Sequence, residues 1–241
     1  MVLLENCMSY VIHLDIPKCK NRKPFFMKNL TNAGFKKITV LDAVHIKNKD
    51  DIENVKKMYD IKNLHSNTTN SEFGCLFSHM KAWTKLLETN YKYAIIFEDD
   101  IFFHPNWKSI WSDYWNNTPK DFDLLFMGFE TCKPKEEVKN FDKIFTLPCL
   151  CTHAYIISRS GAKNLLSLFK KKSEKSELQS IDNVLRGFMY ESRRSEDKIL
   201  KWYCWNGRKH PCVESENSLR GRNDGLVFQS DSFPGTIERW H

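Results

Sequence analysis

Apolar residues along the chain fall into two alternating patterns. Short continuous or near-continuous apolar runs occur at Ser9–Leu14, Ile38–Ala43, Tyr93–Phe97, Phe122–Gly128, His153–Arg159 and Ile199–Trp205, and each predicts a strand. Between them, apolar residues recur at helical spacing. Pro24 suits the first turn of a helix carrying Phe26, Leu30 and Ala33, and Gly34 suits its C-cap. Asp50 or Asp51 is positioned to cap a helix that turns Ile52, Val55 and Met58 inward, and Ser71 to cap one with Leu76, Met80, Trp83 and Leu87. Trp107, Ile110, Trp111 and Tyr114 fit a short aromatic helix; Ala162, Leu165, Leu166 and Phe169 mark another. Ser180 opens a last helix with Val184, Leu185 and Phe188. Strands alternating with helices predict an α/β fold around a central, mostly parallel sheet. There is no internal repeat or linker, so residues 1–241 read as one domain with a loop-rich tail from about residue 206.

Composition narrows the partners rather than the fold. A hydrophobic fraction of 41% supports a sizeable core, and the net charge of +7 suits an anionic partner. The densest basic clusters, Lys170–Lys172 and Arg193–Arg194, read as solvated helix ends, and no basic groove with spaced aromatics suggests nucleic acid. The eight cysteines lie at irregular spacings without a C-x-x-C pair, which favours free thiols over a zinc knuckle. Cys149 and Cys151, two apart, are expected on opposite faces of a strand. The sequons at Asn29, Asn67 and Asn116 then carry no weight. The first residues lack a secretory pattern and no stretch is apolar enough to span a membrane, so a cytoplasmic protein is expected, with peripheral membrane contact still open. The abundance of Lys and Asn fits an AT-rich bacterial or large-virus genome. The Rossmann glycine fingerprint, the phosphate-loop lysine motif, G-x-S-x-G and H-E-x-x-H are all absent, which counts against dehydrogenase, kinase, lipase and zinc-protease chemistry.

The most unusual stretch is YKYAIIFEDDIFFHPNW, Tyr91–Trp107. A strand buried on both faces runs straight into Glu98, Asp99 and Asp100. Adjacent carboxylates repel one another and are costly at a sheet end unless solvated, hydrogen-bonded or bound to a cation. One reading is a solvated turn with an aspartate capping the next segment. The other is a metal and phosphate site at the carboxyl end of the strand, where open α/β sheets place their ligands.

The segment SEFGCLFSHMKAWTKLLETNYKYAIIFEDDIFF, Ser71–Phe103, resembles glycosyltransferase family 25, which includes lipooligosaccharide galactosyltransferases and procollagen hydroxylysine galactosyltransferases. The family pattern is roughly G-E-x-G-C-x-x-S-H, a helix, and a hydrophobic strand ending in E-D-D. Here Glu72, Gly74, Cys75, Ser78, His79, Glu98, Asp99 and Asp100 match it, with Ser71 in place of the first glycine. VIHLDIPKCKNR resembles the opening strand of the family, with Arg22 at its arginine. CTHAYIISRSGAKNLL resembles a later block, with Cys151 in place of glycine. SIDNVL places Asp182 at the family's helix-opening aspartate, and HPCVES around His210 is a faint match.

The resemblance implies a GT-A-like (Rossmann-like) nucleotide-sugar-binding fold and transfer of galactose or glucose, with inversion, from UDP-galactose or UDP-glucose. It implies a divalent cation, Mn2+ or Mg2+, and a glycan or hydroxylysine-type acceptor. By analogy Asp100 is the metal ligand, with Glu98 ligating through water or holding the ribose, and His210 a third ligand. Glu98 and Asp100 share a side if strand geometry persists, and Asp99 then orients the site from behind. Asp182 is the candidate base, its ionised form favoured at a helix N-terminus. Arg22 would meet the diphosphate or uracil, His79 would belong to the site, and His153 and Tyr155 would line the sugar or acceptor pocket. Without the resemblance these are an ordinary helix-start aspartate, a loop arginine, a core histidine and packing residues. The rival functions are a non-catalytic nucleotide-sugar-binding relative, a metal-dependent phosphoesterase or nuclease, and a basic nucleic-acid-binding module.

Overall fold

The computed structural model describes residues 7–133, 137–138, 140–196, 199–209 and 225–229. Strand β1 (Met8–His13) leads through a 3-10 turn (Pro17–Cys19) into helix α1 (Arg22–Ala33), which Gly34 ends with φ 100. Then come β2 (Ile38–Asp42), α2 (Lys49–Tyr59), α3 (Asn70–Leu87), β3 (Tyr93–Glu98), β4 (Ile101–Phe103) and α4 (Trp107–Asn117). The second half contributes β5 (Leu124–Thr131), β6 (Ile144–Phe145), β7 (Cys149–Ser158), α5 (Arg159–Lys175), α6 (Ile181–Arg194), β8 (Trp202–Trp205) and β9 (Val227–Gln229).

Seven strands form one sheet in the order β2-β1-β3-β7-β5-β8-β6. β1, β2, β3, β5 and β8 run one way. β7 runs against both of its neighbours, β3 and β5, and β6 runs against β8. The sheet is therefore mostly parallel, as the alternation of elements predicts, with an antiparallel strand at its centre that apolar periodicity does not reveal. Side chains alternate between two cores. Ala94 and Ile96 of β3 join the cluster containing Leu76, Trp83, Leu165 and Val184 from α3, α5 and α6. Ile95 and Phe97 join Phe26, Leu30, Trp107 and Trp111 from α1 and α4 on the other face. Helices on both faces explain why β3 is apolar without interruption.

Several expectations shift. Helix α3 is capped by Thr69, not Ser71: its side chain accepts from the Glu72 amide while Glu72 reaches back to the Thr69 amide, a reciprocal capping box. Asn48, not Asp50 or Asp51, caps α2, and Asp51 supplies the returning bond. Met58 is 72% exposed because α2 lies on the periphery and meets the core through Ile52, Val55 and Tyr59 instead. Ser180 stands at the N-cap of α6, but its side chain makes no capping bond there. Cys149 and Cys151 are both buried, with Leu150 between them more exposed: residues two apart on a strand share a face, so the expectation of opposite faces does not hold, and Cys151 separately has a φ of 70. That left-handed conformation is one glycine adopts freely, which gives a physical reason for a glycine in the resembling pattern. Within the polar tail, residues 227–229 form β9, which pairs with β4 immediately after the acid run.

Candidate functional site

β1 and β3 are parallel neighbours in register, Ile12 opposite Glu98, so their carboxyl ends open at the same edge of the sheet. A cavity of about 240 Å³ lies there. Its walls come from the end of β1 and the following turn (Leu14, Ile16, Lys18), from Arg22, from residues 43–46 after β2, from one face of α3, from Glu98, Asp99 and Asp100, and from Gln229. Two features of α3 hold the 43–46 segment close. A Cβ on Gly74 would stand 2.6 Å from the Val44 carbonyl oxygen, so only glycine admits this approach. The Val44 amide donates to Ser78 Oγ at 2.7 Å, and the Ser78 hydroxyl donates to the Gly74 carbonyl at 2.6 Å.

The three acids sit in three different environments. Strand geometry ends at Glu98, and the chain turns at Asp99 and Asp100 so that all three carboxylates line the cavity. Asp99 is buried and balanced: Arg22 Nη1 donates to its Oδ1 at 2.5 Å, and His13 Nδ1 lies 2.7 Å from its Oδ2. Arg22, expected as a loop arginine, is the buried first residue of α1, and Asp99, expected to face away from the site, itself lines the cavity while pairing with Arg22. Glu98 accepts from the Thr152 hydroxyl at 3.2 Å and faces His79 Nε2 at 3.5 Å. Burial pushes the Glu98 carboxyl up, but His79, His153 and the Thr152 hydroxyl outweigh it and hold the carboxyl below its usual range.

Asp100 is the least compensated. Among the described residues its close partner is the Gln229 amide, donating to Oδ2 at 3.2 Å; Arg22 stays 3.8 Å away, and Oδ1 is buried without a hydrogen bond from any of them. Burial first, then repulsion from Glu98 and Asp99, pushes its pKa up to about 7. Asp100 is thus a buried side chain, not the solvated acid that a sheet end suggests. A buried carboxylate with an orphaned oxygen beside a second acid fits a hard divalent cation, which takes oxygen ligands. Asp100, with Glu98 beside it, would hold that cation.

The remaining expected residues divide. His79 lines the cavity and is fully buried; its Nδ1 lies 2.8 Å from Tyr155 Oη, which accepts from the Trp83 indole at 2.8 Å. Tyr155 therefore acts from behind His79 and does not line the cavity, because the central strand carries it into the core. His153 does not line the cavity either: its Nε2 packs on the Val227 carbonyl at 3.1 Å and fixes β9. Asp182 is the second residue of α6, half-buried, outside the cavity lining but close enough to act electrostatically on the Cys75 thiol that lines it. His210 lies outside the described residues. Sequence reasoning missed His13 and Gln229. His13 was findable, because a strand that ends parallel to β3 delivers its last side chain to the same edge. Gln229 gave no signal, since a three-residue strand in a polar tail has no usable periodicity.

A mixed sheet covered by helices on both faces, with a carboxylate-lined cleft at the carboxyl ends of its first strands, defines a GT-A-like α/β protein. The model of glycosyltransferase family 25 (LPS biosynthesis protein) matches residues 7–184, and the chain belongs to that family. It is 29% identical over 130 residues to the lipooligosaccharide biosynthesis protein lex-1 of Haemophilus influenzae, covering 48% of this chain and 42% of that one. It is 30% identical over 107 residues to procollagen galactosyltransferase 1-A of Xenopus laevis, 41% of this chain and 17% of the relative. A Bos taurus relative, 28% identical over 109 residues (41% and 18%), carries the name probable inactive glycosyltransferase 25 family member 3. The chain thus spans less than half the length of each of these relatives.

Proposed function

We propose that this chain is an inverting, metal-dependent glycosyltransferase that moves galactose or glucose from a UDP-sugar to a glycan or hydroxylysine-type acceptor. The observation that carries this reading is Asp100, a buried and under-compensated carboxylate beside Glu98 in a cleft that also offers Arg22 and Lys18. Asp100 and Glu98 would hold Mn2+ or Mg2+, which would supply positive charge to offset that of the departing diphosphate. Arg22, held by Asp99, presents positive charge to the phosphates. In the transfer step the acceptor oxygen bonds to the anomeric carbon as the bond to the diphosphate oxygen breaks. The acceptor proton passes to Asp182, whose ionised form the α6 N-terminus favours. His79, backed by Tyr155 and Trp83, fixes the position of Glu98.

The test is a panel of UDP-sugars incubated with protein and Mn2+ or Mg2+, monitored for release of UDP. Metal-dependent release from UDP-galactose or UDP-glucose, lost in Asp100→Asn, is the expected result. No release from any donor overturns the enzymatic reading. The inactive relative's name supports a second one, a nucleotide-sugar-binding protein without turnover; calorimetric binding of an unhydrolysed donor would favour it. Cleavage of a generic phosphodiester instead would favour a phosphoesterase.

A further inference from the structure

Cys75 and His79 stand four residues apart on α3, so both project from one face of the helix. With Glu98 at the end of β3 they bring a sulfur, an imidazole nitrogen and a carboxylate oxygen within 4.8 Å of one another. His79 is fully buried, and among the described residues its Nε2 has no hydrogen-bond partner, although it points at Glu98 Oε1, 3.5 Å away. All three residues line the cleft. Asp100 does not belong to this trio, whereas Glu98 is common to it and to the Asp100 site.

We propose that Cys75, His79 and Glu98 form a second cation site in the cleft wall, which takes zinc or a similar thiophilic divalent ion. The donor set decides the class of ion. Thiolate and imidazole suit a borderline-soft metal, whereas Mn2+ and Mg2+ prefer the all-oxygen surroundings of Asp100. Three protein ligands facing a cavity leave a coordination position open to the cleft. The support behind the ligands is already present. With a metal on Nε2 the other ring nitrogen carries the proton, and Nδ1–H donates to Tyr155 Oη, which also accepts from Trp83. Charge also closes: as the metal–sulfur bond forms, the thiol proton leaves to solvent, and a dication with one thiolate and one carboxylate is neutral, which suits a site with little water. Without metal the thiol stays protonated, because burial and the charges of Glu98 and Asp182 push it well above its usual range. The inference does not rest on glycosyl transfer.

Cobalt(II) is the probe, titrated into metal-free full-length protein and followed by absorption. Thiolate ligation produces a charge-transfer band in the near ultraviolet together with strong visible bands from a low-coordinate ion. We expect both in the parent protein, their loss in Cys75→Ser, a shifted visible spectrum in Glu98→Gln, their retention in Asp100→Asn, and displacement by zinc but not by Mn2+. Circular dichroism checks that each variant is folded. If Cys75→Ser does not fold, Glu98→Gln decides, because an unchanged spectrum there removes Glu98 from the site. The absence of a charge-transfer band in the parent, or a band that survives in folded Cys75→Ser, overturns the site. In the latter case the thiolate lies elsewhere, and His79 does no more than lean on Glu98. A protein with the band but no sugar transfer refutes the proposed function alone; one with transfer but no band refutes this site alone.

Discussion

At Asp100 burial and charge are furthest out of balance, and that imbalance is measurable. Its folded-state pKa of about 7 lies above the 3.8 of an unperturbed aspartate, so the folded protein prefers the protonated acid. The sign follows: this residue costs nothing below pH 3.8, and stability falls as pH rises from there to about 7. If Asp100 holds the proposed divalent cation, the cation takes the place of the proton, so Mn2+ should raise the melting temperature more above this range than below it, and Asp100→Asn should remove the difference. An equal Mn2+ effect at both ends of the range would place the cation elsewhere. Asp182 gives a second test at this scale. As the base, Asp182→Asn should leave donor affinity nearly intact while transfer falls by roughly 10²–10⁴-fold. As a helix-start residue only, it should cost on the order of 0.3–1 kcal/mol of stability and leave transfer alone. Calorimetric donor titration beside a transfer assay separates the two. The acids themselves were legible in the sequence because three carboxylates after an apolar run have few stable explanations. Their unequal environments were not, since those depend on His13, Arg22, Thr152 and Gln229 arriving from distant parts of the chain.

Among elements, α3 does the most to shape the cleft. It contributes Cys75, Ser78 and His79, and its glycine lets the segment after β2 approach closely. Gly74→Ala isolates that approach. Alanine is the better helix former by about 0.8–1.0 kcal/mol, yet its Cβ would meet a backbone oxygen at 2.6 Å. We expect the clash to win, with a net loss of about 1–3 kcal/mol in chemical denaturation and weaker donor binding. A variant more stable than the parent would show that residues 43–46 yield easily. Helix periodicity in the sequence located α3 to within a turn, but its start shifted to Thr69 because Ser71 has no matching acid three residues on, whereas Thr69 has Glu72. Period-two and continuous runs likewise located the principal strands. Strand direction has no signature in such runs, which is why the antiparallel β7 came only from the structure.

Across the whole molecule, the cleft links elements from both helical layers, so its ligands should stabilise the fold as a unit. UDP at 100 times its dissociation constant should add about 2.7 kcal/mol, and UDP with Mn2+ should stabilise more than the sum of the two alone, read as melting temperature. Additive shifts would mean that nucleotide and cation do not share a site. The net charge of +7 agrees with an anionic ligand without choosing one. One contact carries a temporal consequence. Gln229 reaches Asp100 across 129 positions of sequence, on a strand that pairs with β4. During synthesis at roughly 5–20 residues per second, the acid run therefore leaves the ribosome several seconds before its amide partner does. Nascent chains arrested before Gly225 should hold all three acids yet bind Mn2+ more weakly than the released protein; equal affinity would show that β9 is dispensable. Of the described cleft residues Gln229 is synthesised last, so a chain stopped before β9 would carry the three acids without the amide that partners Asp100.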